Sequence, residues 1–233
     1  MCRFMIIAGL FLIVSVAAGA PLICAYRTSD PPTLDARLDE ECWASASVTS
    51  PFLSLNSSDL VNEQTRVRLC WDDEHLYIGV EAFEAYLDPR LNMLHAVKAE
   101  RSGEDAPVFS DDCVEIFLQP DQQNYYHFGA NSGDGTYDAR VTDSEWDSGW
   151  QCEARRLDDR YVLEMAIPFA ALAGQPEGQW RANFARERTA IDELSTWAEL
   201  QTKFHEPDAF GTLCFLESGP ALTDFEIHRE QSK

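Results

Sequence analysis

The densest cluster of side chains able to do chemistry is Asp111-Asp112-Cys113-Val114-Glu115. Paired carboxylates serve as acid and base in glycoside hydrolysis, but those enzymes bring the two groups from separate segments across a cleft. Here the aspartates stand just before a strand-like run and Glu115 lies inside it. That placement suits loop capping, cation binding or ligand binding. Asp72-Asp73-Glu74 is a second acidic loop. Such loops are where calcium, a hard cation, would bind, although acidic runs more often form solvated turns. The histidines (His75, His95, His127, His205 and His228) are scattered without ligand spacing, and no CxxC or Cys/His pattern fits zinc. There is no Gly-x-Ser-x-Gly elbow, Gly-x-Gly-x-x-Gly turn, phosphate loop or His-Glu-x-x-His helix. The residues point to binding and not to catalysis.

The elements that must position them read as strands. Thr65 to Trp71 alternates Val67, Leu69 and Trp71 against Arg66, Arg68 and Cys70, and Leu76 to Ala82 alternates again beyond the polar turn Asp72 to His75. This is a hairpin. Cys113 to Leu118 puts Val114, Ile116 and Leu118 on one face and Glu115 and Phe117 on the other. Tyr125 to Asn131, Tyr137 to Val141, Tyr161 to Ile167, Trp180 to Phe184 and Phe210 to Phe215 complete the series. Pro168 closes one strand, and Phe169 to Leu172 suits a helical turn. Tyr86 to Glu100 reads as a loop with a short helix. Short strands separated by turn residues, without a long helical period, predict an all-β fold: an antiparallel two-sheet sandwich.

The 233 residues carry 18 Lys+Arg against 40 Asp+Glu, a net charge of −22, with 45% hydrophobic residues. One globular domain accounts for that length and composition. The acidity disfavours nucleic acid and anionic membrane surfaces, which need basic side chains, and leaves neutral ligands such as sugars open. Arg3 and the apolar run from Met5 to Ala18, followed by Ala18-Gly19-Ala20, form an export signal, with a second possible cut after Ala25. The expected layout is a signal peptide over 1–25, one domain over 26–219 and a polar tail over 220–233. The expected location is secreted or periplasmic, free of the membrane once the signal is removed. Of seven cysteines, Cys2 leaves with the signal, as does Cys24 if the later cut is used. In that case Cys42, Cys70, Cys113, Cys152 and Cys214 remain, an odd number that leaves at least one unpaired. One disulfide fits, and the spacing does not name it. Cys70, Cys113 and Cys214 read as small buried hydrophobes.

The order of motifs carries a resemblance. Pro32 to Trp43 (PTLDARLDEECW), Val67 to Ala82 (VRLCWDDEHLYIGVEA), Ser110 to Leu118 (SDDCVEIFL), Tyr161 to Phe169 (YVLEMAIPF), Trp180 to Arg186 (WRANFAR) and Phe210-Gly211 follow one another. This series resembles the family 9 carbohydrate-binding modules. The resemblance implies a β-sandwich that binds poly- or oligosaccharide without cleaving it, in support of carbohydrate catabolism and often beside a glycoside hydrolase. Members clamp a terminal sugar between two aromatic rings, with polar groups on its hydroxyls. Residue by residue, the first ring position falls on Phe109 and the second on Phe204, where the family carries Trp. The hydroxyl-binding glutamate falls on Glu115 and the amide on Gln201. An arginine of the family pattern falls on Gly129, which has no side chain to offer. Trp43, Trp71, Trp150, Trp180 and Trp197 read as core, whereas Trp146, amid Asp143, Glu145 and Asp147, is a secondary contact candidate. Two alternatives accompany this reading. One is a structural or adaptor sandwich that has lost its ligand. The other is a haem domain of related fold with Met165 and His127 or Lys98 as axial groups.

Overall fold

The computed structural model describes residues 19–84, 87–88, 93–94, 97–141 and 143–218. In chain order the strands are β1 (Leu22–Arg27), β2 (Leu53–Ser54), β3 (Thr65–Trp71), β4 (His75–Phe83), β5 (Leu87–Asp88), β6 (Met93–Leu94), β7 (Cys113–Gln119), β8 (Tyr126–Asn131), β9 (Thr136–Arg140), β10 (Gln151–Arg156), β11 (Arg160–Pro168), β12 (Gln179–Arg188), β13 (Glu193–Thr196) and β14 (Gly211–Leu216). Every strand expected from alternation is among them. The fold is all-β, with one short helix, α1 (Glu41–Ser45), among the described residues. No described helix is long and apolar enough to cross a membrane. The helix expected within Tyr86 to Glu100 is replaced, where that segment is described, by the β5–β6 pair. The remainder of that expectation, and the polar tail, lie outside the described residues. Phe169–Ala171 forms the expected turn, as a single 3-10 turn.

The expectation of an antiparallel two-sheet sandwich needs correction. Twelve strands hydrogen-bond as one sheet in the order β10-β11-β4-β3-β1-β14-β12-β7-β8-β9, with β13 beside β12 and β2 beside β13. The sheet is mixed because β1 runs parallel to both β14 and β3. Its Ile23 and Ala25 point into the core, so it fills the seam between the two halves. Strand β1 begins before residue 26, so a cut after Ala25 would divide it. Cys24 and Cys214, opposite one another in the β1–β14 register, form a disulfide. Cys214 is therefore a bridge and not merely a buried hydrophobe, whereas Cys70 and Cys113 are buried thiols.

One core receives both halves. Leu69 of β3, Ile78 of β4 and Leu163 and Met165 of β11 meet Val114 and Ile116 of β7, Phe128 of β8 and Phe184 of β12. The sheet therefore curls so that its halves face each other. Burying each such side chain contributes about 1.5–3 kcal/mol. Trp43 of α1 packs on the opposite face of β4 and β11, where its indole N–H donates to Glu164 Oε1 at 2.9 Å. Glu164 Oε2 accepts the backbone N–H groups of Asp35 and Ala36 at 2.9 and 2.7 Å. This approach needs Gly79, where a Cβ would stand 2.7 Å from Leu38 Cδ2 and 3.3 Å from Trp43 Cζ3.

Candidate functional site

Because β7, β8 and β12 send alternate residues to the core, the intervening residues form a second, outer face. Glu115 and Phe117 of β7, His127 and Gly129 of β8, and Ala185 and Glu187 of β12 share it. Two loops roof this face. One enters β7 and carries Phe109; the other precedes β14 and carries Phe204 and His205. The second loop is shaped by Glu206, whose carboxylate accepts the backbone N–H groups of Gln201, Thr202 and Lys203 and the Thr202 hydroxyl. Those donors hold its pKa down to about 2.

Phe109, Glu115 and Phe204 line one cavity of 250 Å³ together with His127, Glu187 and His205. The fold brings the two loop-borne rings and Glu115 together. Phe204 is 6% exposed and also packs on Phe117 and Phe210. Gln201 lies on the same loop but is exposed and outside the cavity lining. Trp146 lies elsewhere, packed on Tyr126 at 5.0 Å and Phe128 at 6.2 Å between ring centroids.

His127 is the centre of the constellation, although its spacing from the other histidines announces nothing. Its ring is stacked between Phe117, at 4.4 Å and 7°, and Phe109, at 5.3 Å and 23°. Its Nε2 lies 2.7 Å from Glu115 Oε2. The His205 ring stands edge-on to it at 4.9 Å, with His205 Nδ1 held 2.9 Å from the Tyr125 hydroxyl. The histidines are therefore not all scattered, because the fold joins these two. Gly129 makes room for Phe109: a Cβ there would sit 3.0 Å from Val108 Cγ2 and 3.3 Å from Phe109 Cε1. The space above β8 at that position is filled by the Phe109 ring. Glu187 also escaped the sequence reading, though it continues the outward alternation of Asn183 and Ala185.

Burial sets the electrostatics. Desolvation pushes the Glu115 carboxyl up to about 8, partly offset by its hydrogen bond with Glu187. Glu187 rises to about 7, through burial and then the neighbouring Glu115 charge. Burial lowers His127 to about 3, and burial with the nearby His127 and Lys203 lowers His205 to about 4. At neutral pH both imidazoles are uncharged. Glu115, His127 and His205 each bring a potential ligand atom within 4.8 Å of the others, and Cys113, Glu115 and Glu187 form an overlapping group.

The acidic loops have structural duties. Asp111 Oδ2 accepts the N–H groups of Glu100 and Arg101 and the Asn131 amide, and Asp112 accepts from Lys98 and Thr189. Asp72 accepts from Glu74, His75 and the Tyr77 hydroxyl. Met165 is fully buried in the main core, on the opposite face of the sheet from the His127 side chain, so these two form no axial pair.

Among known structures, a protein from Bacteroides uniformis ATCC 8492 to which carbohydrate binding has been ascribed superposes with a TM-score of 0.68 at 20% identity, over 84% of this chain and 100% of that one. A family 9 carbohydrate-binding module from Caldicellulosiruptor kristjanssonii in complex with cellotriose gives 0.60 at 18% identity, over 87% and 96%. A module of the same family and organism in complex with glucose gives 0.60 at 16%, over 85% and 98%. At such identities the likeness concerns the fold. No curated protein sequence matches this one. The model for "carbohydrate family 9 binding domain-like" proteins matches residues 34–218. That span holds both roofing loops and every residue lining the cavity, and the chain belongs to that family.

Proposed function

We propose that this is an exported, non-catalytic domain that binds a neutral saccharide in the cavity between Phe109, Phe204 and Glu115. The observation that supports this most is the convergence of those residues, from two loops and one strand, on one cavity. Aromatic faces pack against sugar C–H surfaces, while carboxyl and imidazole groups supply directed partners for hydroxyls. A volume of 250 Å³ lies at the small end of ligand cavities, which suits a chain end over the flank of a polysaccharide. The fold is read as a sandwich whose two layers are joined along β1. Export follows the leader, with the cut after Ala20 favoured because it leaves β1 and Cys24 in place. Support of a separate glycoside hydrolase is part of the same reading.

Calorimetry with a panel of soluble oligosaccharides tests this proposal. At least one sugar binds the wild type, and Phe109→Ala weakens it by about 1–3 kcal/mol, the contribution of a stacked ring, while circular dichroism shows the fold retained. Equal binding by Phe109→Ala would move the site elsewhere. Absence of binding across the panel would leave an adaptor domain, a reading favoured by the way Phe109 fills the space over Gly129.

A further inference from the structure

We infer that this cavity holds a site for one divalent transition-metal ion of the zinc class, ligated by Glu115, His127 and His205. This goes beyond saccharide binding and does not depend on it. Three side chains from two strands and a loop place one ligand atom each within 4.8 Å of one another. Tetrahedral zinc spaces nitrogen and oxygen ligands roughly 3.3 Å apart, given metal–ligand bonds of about 2.0–2.1 Å. The 2.7 Å between His127 Nε2 and Glu115 Oε2 needs to open by about 0.6 Å to reach that spacing.

The surroundings are those of a positioned ligand set. His127 is clasped between Phe109 and Phe117, so its ring has one orientation and loses little freedom on binding. The Tyr125 hydroxyl holds His205 Nδ1 and leaves the other ring nitrogen as the ligand, the outer-shell arrangement usual for metal-bound histidine. Glu187 lies beside Glu115, and among the described residues no lysine or arginine forms an ion pair with either carboxyl. A bound cation supplies the positive charge that this buried acidic pair otherwise lacks. Two imidazoles with a carboxylate suit zinc, cobalt or nickel, and not calcium, which prefers oxygen ligands throughout. Three protein ligands leave a fourth position open to the cavity, where water or a ligand hydroxyl completes the tetrahedron.

The test uses the purified protein, stripped with chelator and titrated with Zn²⁺ by calorimetry and with Co²⁺ by visible absorption, both without sugar. One ion per chain is expected, with the intense d–d bands of tetrahedral cobalt. His205→Gln, at the cavity mouth, and Glu115→Gln each weaken binding at least tenfold, while Ca²⁺ neither binds nor competes. Circular dichroism and melting curves confirm that both variants fold. Absence of Zn²⁺ and Co²⁺ binding, or binding that both variants retain in full, would overturn the site and leave Glu115–His127 as a structural hydrogen bond. Sugar titrations in chelator read the saccharide proposal separately, so either can fail alone.

Discussion

Glu115 and His127 are buried together, and their opposed shifts give the domain a pH signature. In the unfolded chain Glu115 ionises near 4.5, whereas in the fold it keeps its proton to about 8. The native state thus holds an extra proton across that window, and stability falls as pH rises through it. Glu187, raised to about 7, acts in the same direction. His127 moves the other way, from 6.5 down to about 3, and His205 to about 4, so their contribution rises with pH below 6.5 and opposes that of the carboxyls between 4.5 and 6.5. Above 6.5 only the carboxyl effect remains. Melting temperature in chelator should therefore decline from pH 6.5 to 8, at most about 1.4 kcal/mol per pH unit for each net proton, and Glu115→Gln should flatten the decline. A flat wild-type profile would show the carboxyl already ionised in the fold. Phe109 and Phe204 were legible through the family resemblance, and Glu115 through it and through the alternation of β7, which turns it away from Val114 and Ile116. The meeting of His127 with His205 was not, since residues far apart in sequence meet only through β7–β8 pairing and the fold of the 201–206 loop.

At the scale of elements, alternation identified the strands that bury one face and failed where the pattern is polar. Strand β10, Gln151–Arg156, is largely exposed at the end of the sheet order, so it shows no apolar period. Strand β1 was missed for the opposite reason: its apolar residues merge with the apolar run of sequence before them. The α1 segment was legible only as a tryptophan in an acidic context, yet it anchors the N-terminal stretch through Glu164. Trp43→Ala should cost about 3–5 kcal/mol, the usual loss for a buried large ring. Trp43→Phe keeps most of the packing but leaves Glu164 Oε1 without its donor, a cost of about 1–3 kcal/mol. Urea denaturation of the two variants separates packing from hydrogen bonding. A Trp43→Phe variant as stable as the wild type would show that the indole N–H contributes nothing beyond its ring.

For the whole molecule, β1 and its disulfide decide whether the halves stay together. The bridge closes a separation of 190 residues, and by the loop-entropy argument it stabilises the fold by about 5 kcal/mol at most. Reduction, or Cys24→Ser, should lower the denaturation midpoint while leaving the strand content intact. A chain beginning at Pro21 should melt as the wild type does. One beginning at Thr28 should show no cooperative transition, because it bares the edges of both β3 and β14. Cooperative melting of the shorter chain would reduce β1 to an accessory strand. The parallel seam also dictates when folding can finish. The strand made early on the ribosome has as its longer partner the strand made last, and non-local parallel pairing of that kind is slow. No completed sheet exists until residue 216 has emerged, so the nascent chain stays unclosed through most of its synthesis, and the disulfide locks a closure already made.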